Sequence, residues 1–112
     1  MKLYGIKTCG SVKKAIKFFK ENNIEYDFID LKIDPVDCEK ISQWLEKVDI
    51  KQLFNTRGTK YRTLKLKELD LDNEAKKEWL CKENLLIKRP VIEYNDTIMV
   101  AFDEELYKKE FL

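Results

Sequence analysis

The hydrophobic positions near the start of the chain form two strand-like runs with a helical stretch between them. Lys2 to Ile6 is a short apolar run, typical of a buried strand, and Glu25 to Leu31 returns to the same character. Between them, apolar residues recur at helical spacing, at Val12, Ala15, Ile16 and Phe19. Asn22-Asn23 ends this helical stretch. The pattern predicts a β-α-β unit whose two parallel strands are joined by a right-handed crossover.

The middle of the chain has helical spacing. Asp34-Pro35 has the form of a cap followed by proline in the first turn, which predicts the start of a second helix. The apolar stripe of that helix is Ile41, Trp44, Leu45 and Val48. A polar loop over residues 55–59 and a helical turn over Leu66 to Leu71 are predicted next, and then a third main helix over Asn73 to Leu85. Trp44 and Trp79 are predicted to be core residues.

The end of the chain changes character again. Val91 to Tyr94 and Thr97 to Phe102 are strand-like and flank an Asn95-Asp96 turn, and a final helix is predicted from Asp103. The whole order is β-α-β, a helical middle and β-β-α. It predicts an α/β fold with a four-stranded mixed sheet and with helices packed on it.

Length, composition and charge narrow the class of protein. The 112 residues suit one modest domain, and 44% hydrophobic residues allow a real core. The 22 basic and 21 acidic residues leave a charge of +1, which argues against direct binding of nucleic acid. No run of about 18 apolar residues and no signal peptide is evident, so we expect no membrane partner.

The absence of histidine excludes Cys-His pairs, Ser-His triads and histidine-bearing zinc sites. Cys9, Cys38 and Cys81 lie too far apart for a CxxC-type metal site, so we expect no metal and no bound cofactor. Their odd number does not suggest a disulfide framework. A reduced, cytoplasmic location is the simplest expectation.

Only three of the 22 basic residues are arginines, namely Arg57, Arg62 and Arg89. In such a lysine-rich chain, each arginine is a candidate for a position that needs a planar, bidentate donor. The alternative is that the three arginines have no shared role.

Cys9 is the candidate nucleophile. It lies between the first strand and the first helix, where free backbone N–H groups and the positive end of the helix favour a thiolate. Lys7, Lys13 and Lys14 add positive charge. Gly10 lets a ligand approach the backbone, and the N–H groups after Cys9 form a cradle for an anion. The alternative is that Cys9 only fills a turn.

Two other features leave alternatives open. Cys38 and Cys81 fall in predicted helices, where free cysteine is commonly a small buried hydrophobe. The alternative is a redox role, such as resolving a bond on Cys9. Pro90 is either a trans proline with a purely structural role or a cis proline beside a site.

Three segments resemble a known family. They are Tyr4 to Ala15, Asn55 to Arg62 and Ile87 to Ile92, and the ending Val100 to Tyr107 is similar as well. Together they resemble the arsenate reductase (ArsC)/Spx family, most nearly its YffB-like branch. The likeness covers essentially the whole chain.

The resemblance implies a thioredoxin-like fold, a single domain over residues 1–112 with a helical insertion at about 34–86. It makes Cys9 the nucleophile and Pro90 the cis proline that faces it. Arg57 and Arg89 match arginines that hold an oxyanion or glutathione, beside Gly10, Ser11 and Lys13. The implied function is a small thiol oxidoreductase with glutathione as co-substrate and glutaredoxin as a partner.

Departures from the family argue against arsenate as the substrate. Gly5 stands where arsenate reductases carry a histidine, Lys13-Lys14 replaces an Arg-Asn pair, and no arginine lies within Val100 to Glu104. Ala101 replaces a common glycine. The resemblance also implies an alternative, an Spx-like regulator that binds RNA polymerase without catalysis, although Val12 replaces the second cysteine of the Spx CxxC switch.

Overall fold

The computed structural model describes all 112 residues, and the chain forms two compact units. The first unit combines residues 1–30 with residues 89–112, and the second runs from Leu31 to Lys88. The helical insertion expected at about 34–86 falls inside the second unit. None of the helices combines the length and the apolar character that crossing a membrane requires.

The first unit contains a four-stranded mixed sheet. Its strands are β1 (Lys2–Gly5), β2 (Asp27–Asp30), β3 (Val91–Tyr94) and β4 (Thr97–Val100), in the order β2-β1-β3-β4. β1 is parallel to β2 and antiparallel to β3, and β3 forms an antiparallel hairpin with β4. This topology confirms the predicted α/β class and is that of a thioredoxin-like fold.

Two helices complete the first unit, α1 (Gly10–Glu21) and α6 (Glu104–Phe111). Their inner faces form one cluster with the sheet, and its buried members are Leu3, Val12, Ala15, Phe18, Phe19, Ile92, Met99 and Tyr107. The Tyr107 ring stacks on Phe19, with 5.8 Å between ring centroids. The helical spacing of α1 is confirmed, because Val12, Ala15 and Phe19 are all buried.

The second unit is helical. Its helices are α2 (Cys38–Leu45), α3 (Ile50–Leu53), α4 (Thr59–Thr63) and α5 (Asn73–Lys82), with 3₁₀ turns at Leu66–Leu69 and Asn84–Leu86. α2 and α3 both pack against α5. The residues buried here include Ile41, Trp44, Leu53, Leu66, Leu80, Leu86 and Ile87. The short helices α3 and α4 were not predicted from the sequence, because a helix of about one turn is too short to show helical spacing.

Two predictions for the second unit are wrong in detail. α2 begins at Cys38 and not at Asp34-Pro35, because the side chain of Asp37 is the one that caps it by accepting the N–H of Lys40 at 2.9 Å. Trp79 is only half-buried, and the Lys82 ammonium lies 5.6 Å from its ring centroid.

Candidate functional site

Cys9 is a free, half-buried cysteine at the N-cap position of α1. Its backbone is extended, with φ −76° and ψ 127°. Its N–H donates to the Ile6 carbonyl at 3.3 Å, and its carbonyl accepts the N–H of Lys13 at 3.0 Å. Both main-chain bonds hold the thiol at the start of the helix.

The start of α1 differs from that of most other helices in the chain. The helices α2, α3, α5 and α6 are each preceded by an N-cap aspartate whose side chain accepts a backbone N–H. α1 has no side-chain cap and no acidic residue in its first turn. Its first N–H groups therefore have no carboxylate beside them, which suits a thiolate or a bound anion.

Open space surrounds the residue that follows the thiol. A methyl group placed on Gly10 would meet no atom within 4 Å. Lys13 is exposed and Ser11 is half-buried on the same turn. A ligand can therefore reach the backbone at Gly10, as the sequence predicts.

Gly5 has a packing role below this turn. A methyl group on Gly5 would lie 2.6 Å from Cγ2 of Val12, so α1 lies against β1 at this point. This contact leaves no room for a histidine side chain without displacing the helix. The glycine that stands here in place of the family's histidine therefore allows α1 to pack closely on the sheet.

Arg89 and Pro90 lie at the same end of the sheet as the Cys9 turn. Tyr4 is paired with Val91, so Pro90 is level with the end of β1, where the chain turns toward Cys9. The Arg89–Pro90 peptide bond is cis, as the resemblance implies. Pro90 is buried, its carbonyl accepts the N–H of Ala101 at 2.9 Å, and Arg89 is half-buried.

Arg57 lies on an exposed loop of the second unit. The side-chain oxygen of Asn55 accepts the N–H of Arg57 at 3.0 Å, and the N–H of Asn55 donates to the Leu86 carbonyl at 2.8 Å. Nη1 of Arg62 donates to the Arg57 carbonyl at 3.4 Å. These bonds order the loop and leave the Arg57 side chain exposed. The role of Asn55 was not predicted.

Cys38 and Cys81 form a disulfide, with 5.0 Å between their Cα atoms. The interpretation of both as reduced, buried thiols is therefore wrong, and Cys38 is in fact exposed. α2 packs beside α5 and so brings together residues 43 positions apart. Nothing in their spacing indicates this pairing.

The chemistry available to the first unit is that of a thiol. No group of three or more histidine, cysteine, aspartate and glutamate side chains is placed to hold a metal ion. Cys9 is a free cysteine, and the uncapped start of α1, Lys13 and Arg89 are cationic or N–H-donating groups of the same unit.

Comparisons with known proteins agree on one family. The model of the ArsC family matches residues 4–110. The solved structure of the YFFB (PA3664) protein is 32% identical, with a TM-score of 0.90, and the match covers 99% of this chain and 98% of that one. An arsenate reductase (ArsC) related protein from Brucella melitensis is 32% identical, with a TM-score of 0.77, covering 98% and 92%. The global transcriptional regulator Spx 2 of Lactococcus lactis subsp. lactis is 26% identical, covering 92% of this chain and 80% of the regulator.

Proposed function

Because the chain belongs to the ArsC family, we propose that it is a thiol oxidoreductase with Cys9 as nucleophile and glutathione as co-substrate. The observation that carries the proposal is the free Cys9 at the uncapped start of α1. Exposed backbone N–H groups and the positive helix end stabilise a negative sulfur, which is the reactive form of cysteine.

The proposed reaction is thiol–disulfide exchange. The Cys9 thiolate attacks the glutathione sulfur of a mixed disulfide, a new S–S bond forms, and the electron pair of the old bond leaves with the other sulfur as a thiolate. A second glutathione thiolate then attacks the sulfur of the bound glutathione. Oxidised glutathione is released and the Cys9 thiolate is restored. Glutaredoxin is the proposed alternative acceptor of the bound glutathione.

Several groups of the chain suit the carboxylates of glutathione or a small oxyanion. In the first unit, Arg89 supplies a planar guanidinium donor, and residues 10, 11 and 13 supply backbone N–H groups and an ammonium. In the second unit, Arg57 is the guanidinium donor that the family resemblance implies. Arsenate is the substrate that the family name indicates. The glycine at position 5 and the lack of an arginine in the last segment favour a glutathione-bearing disulfide instead. We place this activity in the cytoplasm, where glutathione is abundant.

The Cys9→Ser substitution is expected to abolish the adduct that the protein forms with oxidised glutathione. Intact-mass spectrometry after a brief incubation measures a gain of one glutathione per chain. The matched control is the Cys38→Ser/Cys81→Ser double variant, which lacks the disulfide and retains Cys9. It is expected to form the adduct at the wild-type rate. An adduct of undiminished rate on the Cys9→Ser protein would overturn the proposal.

The Arg89→Ala substitution is expected to raise the KM for a glutathione mixed disulfide about tenfold, the effect of losing one charge-assisted hydrogen bond. The kcat is expected to change less. Lys88→Ala removes an exposed positive charge one residue earlier and serves as the control. Arg89→Lys keeps the charge and tests the planar geometry. Equal KM values for the wild type and both Arg89 variants would remove Arg89 from the site.

The similarity to Spx 2 favours a second candidate function, a regulator that binds RNA polymerase without catalysis. This function needs no reactive Cys9. Pull-down of purified RNA polymerase by the wild type and by Cys9→Ser distinguishes the two. Equal binding by both proteins, with no glutathione adduct on the wild type, would support the regulator over the enzyme.

A further inference from the structure

The disulfide of the second unit has no part in the proposed function. It joins Cys38, the first residue of α2, to Cys81 in the last turn of α5. Cys38 is exposed and Cys81 is half-buried, so the bond lies at the surface and a small thiol can reach it.

A cavity of about 570 Å³ opens beside this bond. Cys81 is among the residues that line it, whereas Cys38 is not. The volume is in the range of sites that hold small molecules. A thiol that enters the cavity therefore approaches the bond from the side of Cys81.

The cavity lining carries both signs of charge. Lys32 and Lys82 are its basic residues, and Asp37 and Glu83 are its acidic ones. Both carboxylates are engaged within the protein, Asp37 with the N–H of Lys40 and Glu83 with the ammonium of Lys60 at 3.5 Å. Lys32 and Lys82 place two ammonium charges in the lining, and Lys82 also lies over the Trp79 ring, 5.6 Å from its centroid. The carboxylates of a small thiol compound can pair with such charges.

Asn84 holds the two cysteine-bearing segments together independently of the disulfide. It is 7% exposed, and its side-chain oxygen accepts the N–H of Val36 at 2.6 Å. Its side-chain nitrogen donates to the carbonyls of Val36 and Leu80, at 3.3 and 3.1 Å. Val36 lies two residues before Cys38, and Leu80 lies one residue before Cys81. Opening of the disulfide therefore leaves the two sulfurs close enough to rejoin.

We propose that Cys38–Cys81 is a reversible thiol–disulfide exchange site for a low-molecular-weight thiol, separate from Cys9. The incoming thiolate bonds to Sγ of Cys81, the disulfide breaks, and Cys38 leaves into solvent as a thiolate. A second thiol molecule then attacks the mixed disulfide. The protein gains two electrons and two protons, and the two thiols are oxidised to their disulfide. In the cytoplasm, where we propose that the protein acts, disulfides are usually of this transient kind.

The regiochemistry of the first step tests the proposal. The full-length Cys9→Ser protein is exposed briefly to reduced glutathione, quenched with acid, alkylated and mapped by mass spectrometry. The expected product carries glutathione on Cys81 and the alkyl group on Cys38. It is expected to be at least five times as abundant as the product with the two groups exchanged. An equal or greater amount of glutathione on Cys38, or no reaction until denaturant is added, would overturn it. Because Cys9 is absent, this result does not depend on the proposed function.

The role of Asn84 is tested by the equilibrium between the Cys38–Cys81 disulfide and the glutathione pair. Asn84→Ala is expected to lower the equilibrium constant for forming the Cys38–Cys81 disulfide about tenfold, because it frees the Val36 segment. Asn73→Ala, at an exposed asparagine of α5, is expected to leave it unchanged. Asn84→Asp keeps the acceptor for Val36 and is used if the alanine variant does not fold. The same constant in the wild type and in every Asn84 variant that folds would show that Asn84 does not hold the two segments.

Discussion

The contact between Gly5 and Val12 sets how closely α1 approaches the sheet below the Cys9 turn. Val12 is fully buried, and its Cγ2 occupies the space that a Cβ on Gly5 would need. Interiors are close-packed, so a single added methyl group must displace its neighbours. The position of the Cys9 turn thus depends on a residue that carries no side chain.

The Gly5→Ala substitution is expected to destabilise the protein by about 1–3 kcal/mol, the usual cost of overpacking. Urea unfolding measures the free energy of unfolding. In the Gly5→Ala/Val12→Ala double variant, truncation of Val12 makes room for the new methyl group. The double variant is therefore expected to lose less stability than the sum of the single variants.

Gly10→Ala is the control for this cycle, because a methyl group there meets open space at the start of a helix. It is expected to change stability by less than about 1 kcal/mol. Strictly additive losses in the double variant would contradict the proposed contact between Gly5 and Val12.

At the scale of elements, the helices differ in whether an aspartate caps their first N–H groups. Aspartate caps satisfy N–H groups where a helix needs only stability, and they contribute about 1 kcal/mol each. Two helices lack such a cap: the short helix α4, whose N-cap is Gly58, and α1, whose N-cap is Cys9. A carboxylate at this position would repel a thiolate or a bound anion. Without the cap, α1 loses some helix stability, but its first N–H groups can stabilise a negative charge.

The junction between β4 and α6 depends on a left-handed residue. Ala101 has φ 70°, its N–H donates to the Pro90 carbonyl, and its carbonyl accepts the hydroxyl of Tyr107 at 2.9 Å. This turn therefore holds Pro90 and α6 in place through one residue. A left-handed conformation favours glycine, which is the residue common in the family at this position.

The Ala101→Gly substitution is expected to stabilise the protein by about 1 kcal/mol, because it removes the steric cost of the left-handed conformation. Thermal unfolding followed by circular dichroism measures the change in Tm. Ala75→Gly, in the ordinary helical backbone of α5, is the matched control and is expected to lower the Tm. A fall in Tm for both variants would contradict the argument.

At the scale of the whole molecule, the first unit depends on two buried tyrosines. Tyr4 in β1 donates its hydroxyl to Glu93 in β3 at 2.8 Å, and Tyr107 in α6 lies within the aromatic core. Burial raises the pKa of both tyrosines well above the usual value near 10. The Glu93 carboxylate adds to the rise in the pKa of Tyr4, and Asp103 adds to that of Tyr107.

The stability of the protein is therefore expected to fall at alkaline pH. Below pH 10 both tyrosines are protonated in the folded and the unfolded chain, so they add no pH dependence. Above pH 10 the unfolded chain loses these protons while the folded chain keeps them, which costs about 1 kcal/mol per tyrosine at pH 11. Urea unfolding between pH 8 and pH 11 measures the slope.

Tyr4→Phe separates this effect from a simple loss of packing. It lowers stability below pH 10 through the lost hydrogen bond, and it is expected to reduce the slope above pH 10 by about half, since one of two tyrosines no longer titrates. A slope equal to that of the wild type would contradict the role of Tyr4.

Local spacing along the chain determined the β-α-β start, the terminal hairpin and the start of the final helix near Asp103. These features depend on periodicity, which decides the face of an element that is buried, and on the chemistry of neighbouring residues. Local patterns also indicated Cys9 and Arg89 as separate candidates, and the family resemblance alone placed Pro90 opposite Cys9.

Only the tertiary structure decided the features that depend on residues far apart in the chain. Asn84 is bonded to Val36, 48 residues away, and α2 begins two residues after that contact at Cys38. The disulfide of Cys38 exists because α5 packs beside α2. The left-handed conformation of Ala101 places its carbonyl against Tyr107. Such contacts follow from how the elements pack, and packing is not encoded in the spacing of any single segment.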